Sequence, residues 1–415
     1  MSIARRTGLL WGILIAMIFV VGGYFNVASA HVSLENHQPM QDEVVSNAPD
    51  EIKLKFSDPV NVRYTEVQLY NDKGHQVEQL HSDQTGYSDT VIFRTQQYDE
   101  GTYAVKWQAV SPDGHEVSGQ YQFSIGTQTA KYIDISKPFY ADAYWWLGVL
   151  RFVMQGTVLL LTGLYIVNRI MAQASAPTFD VLPKYRSIAW ILVMLIGATS
   201  LVYLMTLSRN AIQQLLRLDL STWISFPFLL AMVALMITVI LFSLRQMEPI
   251  WYHAMPVLIL ISLASSGHVW AQDIPLYALL LRTLHLVGIA VWLGSFIYLY
   301  AYIQSHQQHS YVLILRDVLL KTNIGAVIVI IVTGLLMSID ATSIQAIVTQ
   351  QTTYSVLWLT KISLTIVLMG LGAIQTFWAM NKKRKIQQPM LYFEIIIGVL
   401  LILAGVIMSQ IAAPL

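Results

Sequence analysis

Eight apolar stretches, each close to 20 residues long, constrain what the last two thirds of this 415-residue chain can fold into. They lie at 144–167, 187–207, 222–244, 249–268, 277–303, 323–340, 357–380 and 390–413. A helix needs about 20 apolar residues to cross the hydrocarbon core of a bilayer. The sequence therefore predicts an all-α polytopic membrane domain over 144–415 with about eight transmembrane helices. The fourth stretch contains Pro256, which predicts a kink.

The first 30 residues have the three parts of a secretory signal peptide. Arg5 and Arg6 precede an apolar run over 9–21, and the small residues of 28–30 follow it. Cleavage after Ala30 would leave His31 as the amino terminus and export the domain behind it. An uncleaved anchor helix is the alternative, although the run is short for a full span.

Charge in the loops predicts how the helices cross the membrane. If the first span enters from outside, only Arg209 and Arg217 lie in outer loops. The inner loops then hold ten basic residues: Arg169, Lys184, Arg186, Arg245, Arg316, Lys321, Lys382, Lys383, Arg384 and Lys385. This distribution follows the positive-inside rule. We therefore expect a multi-pass protein of the cell membrane with an extracellular amino-terminal domain.

Residues 31–126 have the pattern of a small β domain. Apolar residues alternate at 52, 54 and 56, at 67 and 69, at 91 and 93, at 103, 105 and 107, and at 121, 123 and 125. Several short strands in fewer than 100 residues predict an all-β sandwich or barrel. Its expected core contains Phe56, Trp107, Tyr121 and Phe123. Residues 127–143 have no sustained apolar pattern and form the expected linker.

Charge and cysteine content limit the function. Residues 31–140 hold 16 acidic and 8 basic residues, whereas 141–415 hold 8 and 15. This distribution argues against a nucleic-acid partner and fits an outer domain that collects cations, although an ordinary acidic surface explains it equally well. Without cysteine the chain has no disulfide, iron–sulfur cluster or thiolate site, so any metal must be held by His, Met, carboxylate or backbone groups.

One combination of residues predicts a metal site. After cleavage, the amine and imidazole of His31 could bind one ion together with Asp113 and His115. Nitrogen and oxygen ligands without sulfur suit Cu(II) better than Cu(I). Asp-Gly-His alone is weak, because Asp-Gly is also an ordinary turn. Three further histidines lie in polar stretches and are expected to be solvated surface residues: His37, His75 and His81.

The order of these segments resembles the CopC family of periplasmic copper-binding proteins. The resemblance rests on His31 and on the segments 37–40 (HQPM), 51–60 (EIKLKFSDPV) and 107–119 (WQAVSPDGHEVSG). It implies an immunoglobulin-like β fold in which His31, Asp113 and His115 bind Cu(II). Met40 is the only methionine between residues 39 and 136, so the family's Met-rich Cu(I) loop has no counterpart.

The apolar region resembles the CopD family of copper-resistance membrane proteins. The resemblance rests on 266–268 (SGH), 284–286 (LHL), 291–294 (VWLG), 333–334 (TG), Lys361, 381–384 (NKKR) and Glu394. Gly294-Ser295 departs from a glycine pair, which puts close helix packing there in doubt. A CopC-like domain fused to a CopD-like domain resembles the copper-uptake proteins of Gram-positive bacteria.

Polar residues within the spans are the candidates for a transmembrane path, because each is costly in a bilayer. His268 and His285 would receive copper in turn; the alternative is that each hydrogen-bonds a neighbouring helix. Arg151, Arg282 and Lys361 are expected to snorkel to headgroups or pair with Asp142, Asp273 and Asp340, unless they bind an anionic group or a porphyrin carboxylate. Glu394 is expected to pair with the lysines of 382–385 or to accept the outgoing ion. Four methionines are possible Cu(I) ligands or ordinary packing: Met154, Met337, Met369 and Met408.

These observations predict a copper transport protein, not an enzyme, with Cu(II) and the lipid bilayer as its partners and inward transport as the expected direction. A resistance exporter fits the same residues. A membrane haem protein that reduces copper, with His253, His268 and His285 as axial ligands, is an alternative from the enzyme class, and an oxygenase at His31 is another. The sequence contains no phosphate-binding loop of an ATP-driven pump.

Overall fold

The alternating segments of the first third form eight strands. The computed structural model describes residues 32–411 apart from 113, 115, 136–137, 180–181, 267, 273, 306–310, 351 and 410. The strands are β1 (Leu34–Gln38), β2 (Val44–Val45), β3 (Glu51–Asn61), β4 (Glu66–Tyr70), β5 (Gln76–His81), β6 (Tyr87–Arg94), β7 (Gly101–Val110) and β8 (Glu116–Ile125). A 3-10 turn over Val62–Tyr64 connects β3 to β4. The predicted signal peptide and His31 lie outside the described residues.

Two separate sheets make this domain a sandwich and not a closed barrel. One has the order β1-β3-β6 and the other β2-β8-β7-β4-β5, with β2 and β8 as the parallel pair. The predicted core is confirmed, since Phe56, Trp107, Tyr121 and Phe123 are all buried between the sheets. Alternate side chains of a strand point to the same face, so the period-two pattern alone selects these residues.

The rest of the chain is helical. Its helices are α1 (Ala143–Gln173), α2 (Arg186–Thr206), α3 (Arg209–Leu216), α4 (Leu220–Ser225), α5 (Pro227–Phe242), α6 (Pro249–Ala264), α7 (Pro275–Gln304), α8 (Val312–Ala341), α9 (Ile344–Thr349), α10 (Thr353–Ile374) and α11 (Gln388–Met408). A π-helical segment, Gln375–Met380, extends α10. Six helices are long and apolar enough to be candidate membrane spans: α1, α2, α7, α8, α10 with its extension, and α11.

Two of the eight predicted apolar stretches form shorter helices than expected. The stretch 222–244 is divided at Phe226, because Pro227 begins a new helix there and α4 ends at Ser225. The stretch 249–268 forms α6, which continues through Pro256 and ends at Ala264. Helices α5 and α6 have 16 residues each. At about 1.5 Å per residue they extend roughly 24 Å, less than a typical hydrocarbon core.

Helices α1 and α7 touch backbone to backbone at two glycines. A Cβ atom on Gly163 would lie 1.8 Å from the Ala290 carbonyl oxygen, and one on Gly294 would lie 2.2 Å from the Gly163 carbonyl carbon. The doubt raised by Gly294-Ser295 was therefore unfounded, because Gly294 packs against the partner helix without a second glycine. Ser295 instead donates a hydrogen bond of 2.8 Å to Asn323 Oδ1 of α8.

Candidate metal site and its boundary with the helices

The predicted ligand pair belongs to the connection between β7 and β8. Asp113 and His115 lie outside the described residues, as does His31. Gly114 between them is described: its φ is +78°, and its amide donates a hydrogen bond of 3.0 Å to the Ser111 carbonyl oxygen. Positive φ suits glycine, which explains why the tight turn has this residue at its centre. The predicted site itself stays a prediction.

Gly114 also contacts the helical region. The Tyr203 hydroxyl of α2 donates a hydrogen bond of 3.2 Å to the Gly114 carbonyl oxygen. A Cβ atom on Gly114 would lie 2.5 Å from the Ser225 carbonyl oxygen and 2.7 Å from Pro227 Cδ. The turn that connects the two predicted ligands in sequence is thus seated on the end of α2 and on the junction of α4 with α5.

Glu116, the first residue of β8, is partly buried at the same boundary, with its carboxyl group turned away from solvent. Its Oε2 atom accepts a hydrogen bond of 2.6 Å from the Tyr144 hydroxyl in the first turn of α1. Its Oε1 atom has no hydrogen-bond partner among the described residues. Burial raises the pKa of the Glu116 carboxyl group to about 8, although the hydrogen bond from Tyr144 opposes this shift. The neutral acid is therefore the main form at neutral pH.

An apolar contact fixes the β domain on the helices beside this turn. The Tyr64 ring packs 5.2 Å from the Phe226 ring, and its hydroxyl donates a hydrogen bond of 2.9 Å to Thr222 Oγ1. Tyr64 and Val110 belong to the apolar cluster of α1, α2, α5 and α6, not to the core between the sheets. The β domain therefore contributes side chains to the packing of the helical region.

Polar contacts surround that apolar centre. Gln108 donates a hydrogen bond of 2.8 Å to the Thr206 carbonyl oxygen. Asn210 donates one of 3.1 Å to the Arg63 carbonyl oxygen, and the Arg63 guanidinium lies 3.7 Å from Asp219. The ion pair is half exposed and screened by solvent, so it adds little to the stability of this surface. We call this whole surface, from Tyr64 and Gly114 to Tyr203 and Phe226, the domain boundary.

Tyr144→Phe is expected to weaken the domain boundary. The substitution removes the donor to Glu116 Oε2 and leaves a buried carboxyl group without a partner, which costs about 1–3 kcal/mol. The thermal unfolding midpoint should fall, and protease cleavage in the linker should accelerate. Tyr87→Phe is the matched control, because Tyr87 is exposed on the β domain. An unchanged midpoint and cleavage rate would contradict the role assigned to this hydrogen bond.

Of the three histidines expected on the surface, two are exposed and one is not simply solvated. His75 and His81 are exposed. His37 stacks on Tyr121 with ring centroids 3.8 Å apart, and its Nδ1 atom hydrogen-bonds the Pro39 carbonyl oxygen at 2.7 Å. The expectation was wrong for His37 because a polar stretch of sequence can still cover a core aromatic. Within the described part of the chain, no three His, Asp or Glu residues are grouped to hold a metal.

The helical region carries His253, His268 and His285 on three different elements. His268 begins a 3-10 turn, His268–Ala271, and its side chain is not among those described. His285 of α7 is partly buried, and its Nδ1 atom hydrogen-bonds Thr333 Oγ1 of α8 at 3.0 Å. His253 lies in the first turns of α6, where its two ring nitrogens contact Arg169 and the Pro249 carbonyl oxygen. His253 and His268 are separated by the length of α6.

The expectation that Arg151 snorkels or pairs with an acid was wrong. Arg151 is only 8% exposed, and its guanidinium lies 4.0 Å from the centre of the Phe228 ring. Asp142 instead caps α1 by accepting a hydrogen bond from the Tyr144 amide. Arg282 and Lys361 make no ion pair in the part of the chain that is described. Asp273, one of their expected partners, lies outside the described residues, so pairing with it stays a prediction.

Glu394 does not pair with the lysines of 382–385, which was the expected arrangement. It is 1% exposed, and neither carboxyl oxygen has a hydrogen-bond partner among the described residues. Gly372 of α10 lies beside it, and the Nε2 atom of the nearby residue Gln375, one turn further along the chain, is likewise buried without a partner. Lys383 lies over the Trp378 ring instead.

Sequence reasoning missed the residues of the domain boundary. Tyr144 and Tyr203 of the helical region donate hydrogen bonds to Glu116 and Gly114 of the β domain. The two tyrosines lie near the ends of apolar helices. Tyrosine is common at the ends of membrane helices, where its ring lies at the membrane–water interface. Its presence at these two positions therefore did not indicate a contact with the β domain. The sequence clue to the domain boundary was Glu116. It is an acidic residue at the start of a strand in which apolar and polar residues otherwise alternate.

The fold defines a class before any comparison: a β-sandwich domain seated on a helical region with six candidate membrane spans. Comparison with known proteins identifies the first part, because residues 34–126 match the CopC domain family. Over 102 residues the chain is 28% identical to the copper transport protein CutJ of Bacillus subtilis (strain 168), covering 23% of this chain and 18% of that protein. It is 29% identical to copper resistance protein C of Escherichia coli over 134 residues, covering 30% of this chain and 99% of that protein.

Solved structures of the same kind are similar to this domain. The crystal structure of CopC from Methylosinus trichosporium OB3b is 23% identical, with a TM-score of 0.22, over 25% of this chain and 99% of that chain. PcoC, a methionine-rich copper resistance protein from Escherichia coli, is 26% identical, with a TM-score of 0.21, over 23% of this chain and 99% of that chain. The match of residues 34–126 to the family model is what identifies the CopC domain, and the helices follow it along the chain.

Proposed function

We propose that this protein is a copper transport protein of the cell membrane. The CopC domain captures Cu(II) outside the cell through His31, Asp113 and His115, and a CopD-like helical domain carries copper across the membrane, inward. The names of two relatives, a copper transport protein and a copper resistance protein, support copper as the substrate. An exporter would use the same residues with the opposite direction of transport, and the experiment below distinguishes the two directions.

The seating of Gly114 on the helices carries this proposal. Gly114 lies between the two predicted ligands in sequence and contacts Tyr203, Ser225 and Pro227. An ion held by the neighbours of Gly114 would start its passage at the surface of the helical domain, without free diffusion. A CopC domain that only stored copper would not need its turn fixed there by a buried hydrogen bond.

The path beyond the boundary is proposed to use His268 and then His285. His268 follows α6 and His285 lies in the eleventh position of α7, so both are near the ends of the helices that face the β domain. Neutral imidazole is a good copper ligand. The hydrogen bond between His285 Nδ1 and Thr333 Oγ1 orients the ring, and Nε2 is the nitrogen proposed to bind the ion.

Copper content of cells grown at low external copper tests the function. Cells that produce the protein are expected to contain more copper than cells without it, and His115→Ala should remove the difference. His75→Ala is the matched control, because His75 is exposed in the turn between β4 and β5. A lower copper content in producing cells would instead establish export, and equal contents would refute transport.

Loss of the terminal histidine tests capture separately. His31→Ala is expected to lower the Cu(II) affinity of the purified chain by more than about 100-fold, because removing a ligand costs more than removing an outer-shell partner. The thermal midpoint without copper should not change, since the substitution leaves the described core residues between the sheets intact. Unchanged affinity, or a mature chain that begins at a residue other than His31, would remove the terminal site.

A further inference from the structure

Three basic side chains form a layer in the helical region on the side that faces the β domain. Arg151 is the ninth residue of α1, Arg282 the eighth of α7 and Lys361 the ninth of α10. The first turn of α1 contacts the β domain through Tyr144. The three residues therefore lie at similar depths, roughly 10–12 Å from the starts of their helices at about 1.5 Å per residue. We call them the basic layer.

Packing places all three helices with the same polarity. Helices α1 and α7 cross at Gly163 and Gly294, and Arg151 and Arg282 each precede that crossing by 12 residues. The start of α10 lies beside the end of α8, because Trp358 donates a hydrogen bond of 2.8 Å to Ser338 Oγ. His285, one turn after Arg282, lies beside Gly334 of α8 and hydrogen-bonds Thr333. The segment of α7 that carries Arg282 and the start of α10 therefore both lie beside the last turns of α8.

No residue in the described part of the chain gives the basic layer a negative partner, and Asp273 lies outside that part. Among the described residues, Arg151, Arg282 and Lys361 make no ion pair and no hydrogen bond, and Arg151 Nε is buried without an acceptor. The hydroxyl of Thr283, beside Arg282, is also buried without a partner. Basic residues at the opposite ends of the helices differ: Arg169 contacts His253, Arg245 donates to the Lys184 carbonyl oxygen, and Arg316 pairs with Asp317.

Arg151 is buried, and Arg282 and Lys361 are partly buried. Enclosing several like charges without a counter-charge is unfavourable, and buried charges in proteins are normally paired. Arginine forks and a lysine ammonium are the usual donors to carboxylate and phosphate oxygens. A threonine hydroxyl adds an uncharged hydrogen-bond donor. The chemistry of the layer therefore matches an oxyanion.

We propose that the helical region binds an oxyanion, a phosphate or carboxylate group, between Arg151, Arg282 and Lys361. The group comes either from the headgroup of an anionic phospholipid or from a soluble anion that enters from the side of the β domain. This site is distinct from the copper ligands of the proposed function, and its cationic field repels a bare cupric ion. Copper that passes this layer does so with its charge compensated by the bound anion.

Thermal unfolding of the purified full-length chain tests the site. One arm titrates inorganic phosphate or citrate in neutral detergent at constant ionic strength, and the other compares phosphatidylglycerol with phosphatidylcholine nanodiscs. We expect the midpoint to rise by a few degrees when the anion exceeds its Kd by about 100-fold. A rise in the first arm identifies a soluble anion as the source, and a rise in the second alone identifies a lipid.

Variants separate an anion site from a structural role. Arg151→Gln, Arg282→Gln and Lys361→Gln should each remove most of the rise while leaving the midpoint without anion unchanged or higher, because an uncompensated charge is removed. Lys361→Gln is included because Lys361 is only partly buried and its substitution is tolerated most easily. Arg217→Gln, at an exposed outer position, should retain the full rise.

Two results would overturn the proposal. One is a wild-type midpoint that does not respond to phosphate, citrate or phosphatidylglycerol. The other is a response that all three variants retain, which would place the anion elsewhere. Both readouts are independent of copper, so their failure leaves the copper function untouched.

Discussion

Gly163→Val is expected to prevent the helical region from assembling. A side chain at this position would meet the Ala290 carbonyl oxygen at 1.8 Å, and the opposing atoms belong to a helix backbone, which has no alternative rotamer. Helices α1 and α7 would have to separate, and the contact between them is among the most extensive in the described part of the helical region. Overpacking against a movable side chain already costs about 1–3 kcal/mol, so a backbone clash should exceed that range.

The yield of monodisperse protein in detergent measures this effect, together with the thermal midpoint of whatever is recovered. Gly405→Val is the matched control, because no heavy atom lies within 4 Å of a Cβ atom placed on Gly405 of α11. Both substitutions add the same side chain to the same kind of helix. Equal yields and midpoints for the two variants would show that α1 and α7 do not pack as described.

The elements of this chain were predictable where one physical rule acts on neighbouring residues. The pleat of a strand fixed the burial of Phe56, Trp107, Tyr121 and Phe123, and hydrophobic length fixed the positions of the long helices. The division of the stretch 222–244 was less accessible, because Ser225, Phe226 and Pro227 are all compatible with an apolar segment. A proline within an apolar stretch can either kink one helix or occupy the first position of a new helix. Which of the two occurs depends on the residues that pack nearby.

The predicted site illustrates a second limit. The spacing of Asp113 and His115 follows from the sequence, but the contact between Gly114 and Tyr203 joins residues 89 positions apart. Arg151 shows the same limit in the membrane domain. Snorkelling is the usual outcome for an arginine near a helix end, and only the packing of Phe228 against it reveals that this one is enclosed.

Tyr64→Ala is expected to abolish copper transport without affecting Cu(II) capture. Tyr64 packs on Phe226 and hydrogen-bonds Thr222, and it is not part of the core between the two sheets. Truncation removes a buried aromatic ring from the domain boundary, at a cost of about 3–5 kcal/mol for a fully enclosed ring. The CopC domain should remain folded and bind Cu(II) with unchanged affinity, while its turn at Gly114 no longer stays on α2 and α5.

Three measurements on the full-length chain test this prediction: the Cu(II) affinity, the protease sensitivity of the linker, and the cellular copper content at low external copper. Phe226→Ala should reproduce all three changes from the helical side, since Phe226 is the other half of the contact. Tyr87→Ala, at an exposed tyrosine of the CopC domain, is the matched control and should behave as wild type. Transport that survives Tyr64→Ala with a released CopC domain would mean that copper reaches the helices by diffusion, so the seating of Gly114 would not be part of the delivery step.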